Sequence, residues 1–172
     1  MPVVPSLKDS TFDADIRDRH LLYDYDAQDA QGNPEKWRYE MWFFNEDRVV
    51  YAIHGGPMDG RNSFQTATYQ CIRPGELWQV NWLEETGTIC SLVFDIPKNR
   101  ITTLIAFSRG HWDKNDQALG NKRNDADLAR WRGLANIGSQ ADRVLLSEQA
   151  DIVKDFKGAG DLEPIQMEWP TL

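Results

Sequence analysis

From residue 19 onward the chain consists of short runs of aromatic and β-branched residues, each stopped by turn chemistry, and this rhythm constrains the fold more than any other feature. The runs cover residues 20–26, 37–45, 48–54, 61–71, 77–84, 88–96 and 100–107. Between them lie Gly32-Asn33-Pro34, Asn45-Glu46-Asp47, Gly55-Gly56-Pro57, Pro74-Gly75, Glu85-Thr86-Gly87 and Pro97-Lys98-Asn99, residue types that reverse the chain. Residues 111–142 break the pattern. They are polar, with a helical stretch at 125–134 that sets Leu128, Trp131 and Leu134 on one face, and a last strand follows near 143–156. About eight or nine strands, one short helical segment and no strand–helix alternation predict an all-β chain closed into an antiparallel up-and-down barrel. Such a barrel has no sheet edge and encloses a pocket. A β-sandwich is the second compatible architecture.

The length of 172 residues suits one buried core. Residues 1–18, acidic and bounded by prolines, read as an arm, and residues 19–172 as a single domain. Asp13, Asp15 and Asp18 lack the glycine and closing glutamate of a calcium loop, so the segment reads as solvated charge. Nineteen Lys and Arg against 27 Asp and Glu give a net charge of -8, which disfavours nucleic acid and anionic membrane as partners. An anionic small molecule would need local positive groups. The start Met1-Pro2-Val3-Val4-Pro5 has neither the basic nor the apolar part of a signal peptide and no run is long enough to span a bilayer, so a cytoplasmic protein is expected. Cys71 and Cys90 have no metal or redox spacing and read as reduced thiols. His20, His54 and His111 are scattered, and no nucleotide, phosphate-loop or nucleophile-elbow motif occurs. The motifs therefore indicate no cofactor and no metal.

Residues two apart on a strand share a face. In Leu21-Leu22-Tyr23-Asp24-Tyr25-Asp26 the two tyrosines point inward and both aspartates outward to water. Glu84 ends the inward row Trp78, Val80, Trp82. It either leaves the barrel at its rim, the commoner fate of an isolated glutamate beside a turn, or sits in a low-dielectric lumen where desolvation favours the neutral acid. Arg61 begins a strand after a glycine-rich loop; taken alone it reads as a surface arginine, just as a lone Tyr-x-Tyr reads as core.

The joint occurrence of these features resembles a known family. His20-Leu21-Leu22-Tyr23-Asp24-Tyr25, Trp37-Arg38-Tyr39-Glu40, Tyr51-Ala52-Ile53-His54-Gly55-Gly56, Gly60-Arg61 and Trp82-Leu83-Glu84-Glu85-Thr86-Gly87-Thr88 are similar, in order and spacing, to successive motifs of the phenolic acid decarboxylases. The likeness is close over 19–110 and looser to about 160. The arm is longer than in bacterial members, the hairpin at 27–35 is enlarged, and Asn62 stands where an aromatic often follows the arginine; these departures bear on substrate range.

The resemblance implies a lipocalin-like barrel, a homodimer, and cofactor-free decarboxylation of para-hydroxycinnamic acids (p-coumaric, caffeic, ferulic) to 4-vinylphenols. It places Glu84, Arg61, Tyr23 and Tyr25 at catalytic positions and Tyr39 in the pocket, with Ile53, Trp82, Ile105 and Phe107 as candidate walls of a ring slot. The expected roles are proton transfer by Glu84, a carboxylate grip by Tyr23 and Tyr25, and orientation of Glu84 by Arg61 or, alternatively, charge neutralisation of the substrate. A non-catalytic lipocalin-like carrier of a small aromatic acid is the alternative; it needs the barrel and tyrosines but not Glu84.

Overall fold

The computed structural model describes residues 10–172. Alternation governs the strands. In β5 (Leu77–Leu83) Trp78, Val80 and Trp82 are buried while Gln79 and Asn81 lie on the outer face, and β7 (Arg100–Ser108) buries Ile101, Thr103, Ile105 and Phe107 in the same way. With β1 (Arg19–Gln28), β2 (Pro34–Asn45), β3 (Arg48–Ile53), β4 (Arg61–Arg73), β6 (Ile89–Asp95) and β9 (Arg143–Lys157) they form one antiparallel sheet. The order is β3-β2-β1-β9-β7-β6-β5-β4, and the pairing of β3 with β4 closes the barrel. A ninth, two-residue strand, β8 (Gly120–Asn121), runs parallel to the start of β4.

The expected barrel is therefore present, and the helix predicted at 125–134 is α3 (Asp125–Leu134), capped by Asn124 and burying Leu128, Trp131 and Leu134. Among the described residues no helix is long and apolar enough to cross a membrane.

Three readings of exposure need correction. Asp15 is buried and Asp18 half-buried: Asp15 Oδ2 accepts from Gly75 N (2.7 Å) and Trp78 Nε1 (2.8 Å), and Asp18 Oδ1 accepts from Trp42 Nε1 (2.9 Å). The helix α1 (Ser10–Asp15) brings Phe12 edge-on to Tyr69 and Trp78, so this segment packs into one end of the barrel core. Asp24 faces outward as expected but is buried, because Arg38 on the neighbouring strand covers it with two hydrogen bonds. Indole and guanidinium groups reaching over from strands hold these carboxylates, contacts that strand alternation alone does not reveal.

Two irregularities shape the other end. The first half of β4 (62–66) pairs with β3 and the second half (67–73) with β5, so the ladder between β4 and β5 opens beside Arg61, Ser63 and Gln65. After β7 the chain forms α2 (Arg109–Asp113), a 3₁₀ turn (Asn115–Ala118), β8 and α3, a cap over that opening. Gly110 is required here: a Cβ would lie 2.2 Å from Leu134 O, so only glycine lets α2 approach α3 so closely.

Candidate active site

The barrel lumen is lined by every residue singled out from the sequence: Tyr23, Tyr25, Tyr39, Ile53, Arg61, Trp82, Glu84, Ile105 and Phe107. Tyr23 and Tyr25 stand T-shaped to each other on β1, with ring centroids 5.4 Å apart, and Tyr39 joins them from β2. The Tyr25 hydroxyl pairs with Thr103 Oγ1. Burial raises the pKa of all three phenols above the ordinary tyrosine value, so this wall presents neutral O–H groups.

The facing wall is charged. Glu84 follows β5 in a tight turn closed by Glu84 N to Thr88 O (2.8 Å) and Gly87 N to Glu84 O (2.9 Å); Gly87, at φ 83°, adopts the left-handed conformation the reversal needs. The turn carries Glu84 into the lumen, only 4% exposed, and not onto the rim. Its Oε1 accepts from Tyr51 OH (2.6 Å) and Trp82 Nε1 (3.1 Å), and its Oε2 from Arg61 Nη2 (3.0 Å).

Arg61 is 1% exposed, the opposite of the surface position that the residue suggests when read alone. Its guanidinium donates to Tyr51 OH (3.2 Å), Ala118 O (2.8 Å), Glu84 Oε2 (3.0 Å) and Glu85 Oε1 (2.6 Å), and stacks 3.9 Å from the Trp131 ring centroid. Bonds to four acceptors fix its plane. This geometry suits orienting Glu84 better than gripping a ligand.

Glu85 was not foreseen as part of the site. It lies in the opening between β4 and β5, where Arg61, Gln65 Nε2 (2.9 Å) and Lys122 Nζ (2.7 Å) all donate to it. Burial opposes its charge, but Arg61 and Lys122 prevail and lower its pKa to about 2. Lys122, placed by β8, also donates to Phe64 O, Gln65 Oε1 and Thr171 O, which ties the C-terminal segment to the site.

Tyr51, Cys90, Thr88 and His111 complete the polar lining. Tyr51 shares its strand face with Ile53, so alternation could have found it. Cys90 is a free buried thiol whose pKa burial pushes far up. His111 and Lys122 come from the cap, and no periodicity in the sequence points to them. Among the described residues no cluster of metal-ligating side chains occurs.

Comparisons with known proteins bear on the family. A family model described as phenolic acid decarboxylase matches residues 14–158. A probable phenolic acid decarboxylase of Vibrio cholerae is 30% identical over 92 residues, covering 53% of this chain and 48% of the relative. Phenolic acid decarboxylase PadC of Bacillus subtilis is 30% identical over 91 residues, covering 52% of this chain and 51% of the relative. The matched region thus spans about half the length of either relative.

Proposed function

The chain belongs to the phenolic acid decarboxylase family, and from that premise we propose that it converts para-hydroxycinnamic acids (p-coumaric, caffeic, ferulic) to 4-vinylphenols and carbon dioxide without a cofactor. The observation that carries the reading is a buried carboxyl group, Glu84, held by Tyr51, Trp82 and Arg61 in a lumen whose opposite wall is three neutral phenols.

Direct loss of carbon dioxide from a cinnamate would leave an electron pair in the σ framework, where the ring cannot delocalise it. Protonation of the carbon bearing the carboxylate, with loss of the para-hydroxyl proton, turns the substrate into a quinone methide. The electrons of the breaking C–C bond then flow to the ring oxygen, which takes its proton back. The substrate is its own electron sink.

In this scheme Glu84 delivers the proton that stays on the product, and one proton from water reloads it in each turnover. Tyr23 and Tyr25 hold the carboxylate by hydrogen bonds that a water-poor lumen strengthens. Arg61, already bonded to both glutamates, Tyr51 and Ala118, orients Glu84. Tyr39, Ile53, Trp82, Ile105 and Phe107 form the slot for the ring.

A homodimer belongs to the same proposal. The exposed Leu83, Ile89 and Leu145 follow one another across strands through Ala106, an apolar row on the outer face that a second copy would cover. Light scattering at micromolar concentration tests this, and a monomer refutes it. The activity itself is tested by mixing purified protein with p-coumarate and following both the conjugated acid's absorbance and carbon dioxide. Stoichiometric loss and release are expected; binding without turnover would leave a carrier.

A further inference from the structure

His111 lies on α2 with its ring edge-on to Phe107 and only 2% exposed, and it lines the lumen beside Glu84. Its Nδ1 is within hydrogen-bond distance of Thr86 Oγ1 (2.9 Å) and Thr88 Oγ1 (2.8 Å). Among the described residues its Nε2 is a buried polar atom with no hydrogen-bond partner. A buried polar atom of this kind destabilises the fold unless something meets it.

The two threonines decide which nitrogen carries the proton. Thr88 Oγ1 already accepts from Ser108 N (3.2 Å), and Nδ1 is the acceptor in reach of both buried hydroxyl protons. Nδ1 carries one lone pair and accepts from one of the two hydroxyls, whereas a proton on Nδ1 would leave both without an acceptor; the tautomer with the proton on Nε2 therefore satisfies one more hydroxyl. Burial and the nearby Arg61 guanidinium hold the imidazole pKa far below its usual value, which keeps the ring neutral. On a side chain that lines the lumen, this Nε2–H has no acceptor among the described residues.

Resting on the decarboxylase reading above, we propose that the Nε2–H of His111 donates a hydrogen bond to the carboxylate of the bound acid, making His111 a substrate-binding residue opposite Tyr23 and Tyr25. Its Nδ1 is 3.9 Å from Glu84 Oε2, so the ring borders the place where the carboxylate must lie if Glu84 is to protonate the adjacent carbon. A neutral donor suits a group that leaves as carbon dioxide. A cation would hold charge on the carboxylate in the ground state and oppose its movement toward the ring. The Arg61 guanidinium that lines the lumen is engaged by Tyr51, Ala118, Glu84 and Glu85.

Long-range ¹H–¹⁵N NMR of protein labelled at histidine tests the proposal, with 3-(4-hydroxyphenyl)propanoate as probe because its saturated side chain cannot form the quinone methide. The unliganded protein is expected to show His111 neutral with its proton on Nε2, and saturating probe to move that proton's resonance downfield. A proton on Nδ1, or a probe that shifts the Tyr23 ring signals and leaves Nε2–H unmoved, overturns the proposal alone. A probe that shifts no lumen signal overturns it together with the decarboxylase reading. Kinetics give a second measure: His111→Phe should raise KM for p-coumarate roughly tenfold with kcat within about twofold. A folded variant with unchanged KM contradicts the assignment, and if the variant does not fold the NMR result decides.

Discussion

The wall built by β1 and β2 offers Tyr23, Tyr25 and Tyr39, neutral groups bonded through hydroxyls and ring edges, whereas the facing wall, from β3 to the turn after β5, holds two glutamates, an arginine and a lysine locked together. The contrast is sharpest between Glu84 and Glu85, neighbours in sequence and both buried. Glu85 is shared by Arg61 and Lys122 and stays ionised, so its charge is spent within the protein. Glu84 shares the same Arg61 nitrogen and otherwise meets Tyr51, Trp82 and the Cys90 thiol at the lumen surface. The difference teaches that a charged wall can be inert scaffold one residue away from the carboxyl group proposed to move the proton.

Removing the reactive member should break this contrast most severely. Glu84→Gln is expected to lower kcat for p-coumarate by roughly 10²–10⁴-fold, the usual worth of a positioned proton donor, with probe affinity nearly unchanged. A fully active variant would take Glu84 out of the chemistry.

Glu85→Gln should act on stability. It strands Lys122 and part of Arg61 in a buried site, a change that costs about 3–5 kcal/mol, read as a lower denaturant midpoint. Because the folded-state pKa of Glu85 is depressed, its contribution is complete above about 4.5 and disappears as pH falls toward about 2. Acid titration of the variant should lack that part of the decline, and an unchanged acid limb would show that Glu85 is not held ionised.

On the neutral wall effects are smaller. Tyr23→Phe and Tyr25→Phe should each raise KM several-fold to roughly tenfold, the loss of one hydrogen bond to a charged group, with the fold intact. Unchanged KM in both would place the carboxylate elsewhere in the lumen.

Most of the barrel was legible because its strands alternate: Trp78, Val80 and Trp82, or Tyr23 and Tyr25, declare one face by spacing alone. The rim was less so. A turn brings the consecutive Glu84 and Glu85 both into buried positions, which a period of two forbids, so motif resemblance put Glu84 inside while Glu85 went unnoticed. His111 and Lys122 reach the site from a cap about 25 to 60 residues distant in sequence from their partners, and such long-range contacts leave no local pattern. The burial of Asp15 under Trp78 was invisible for the same reason.

The central claim is that these two walls let a para-hydroxylated ring serve as the electron sink. Carbon dioxide release from p-coumarate and from cinnamate, which lacks the para-hydroxyl, measured side by side on the purified protein, tests it most directly. Release from p-coumarate alone is the expected result; comparable release from cinnamate would contradict the account.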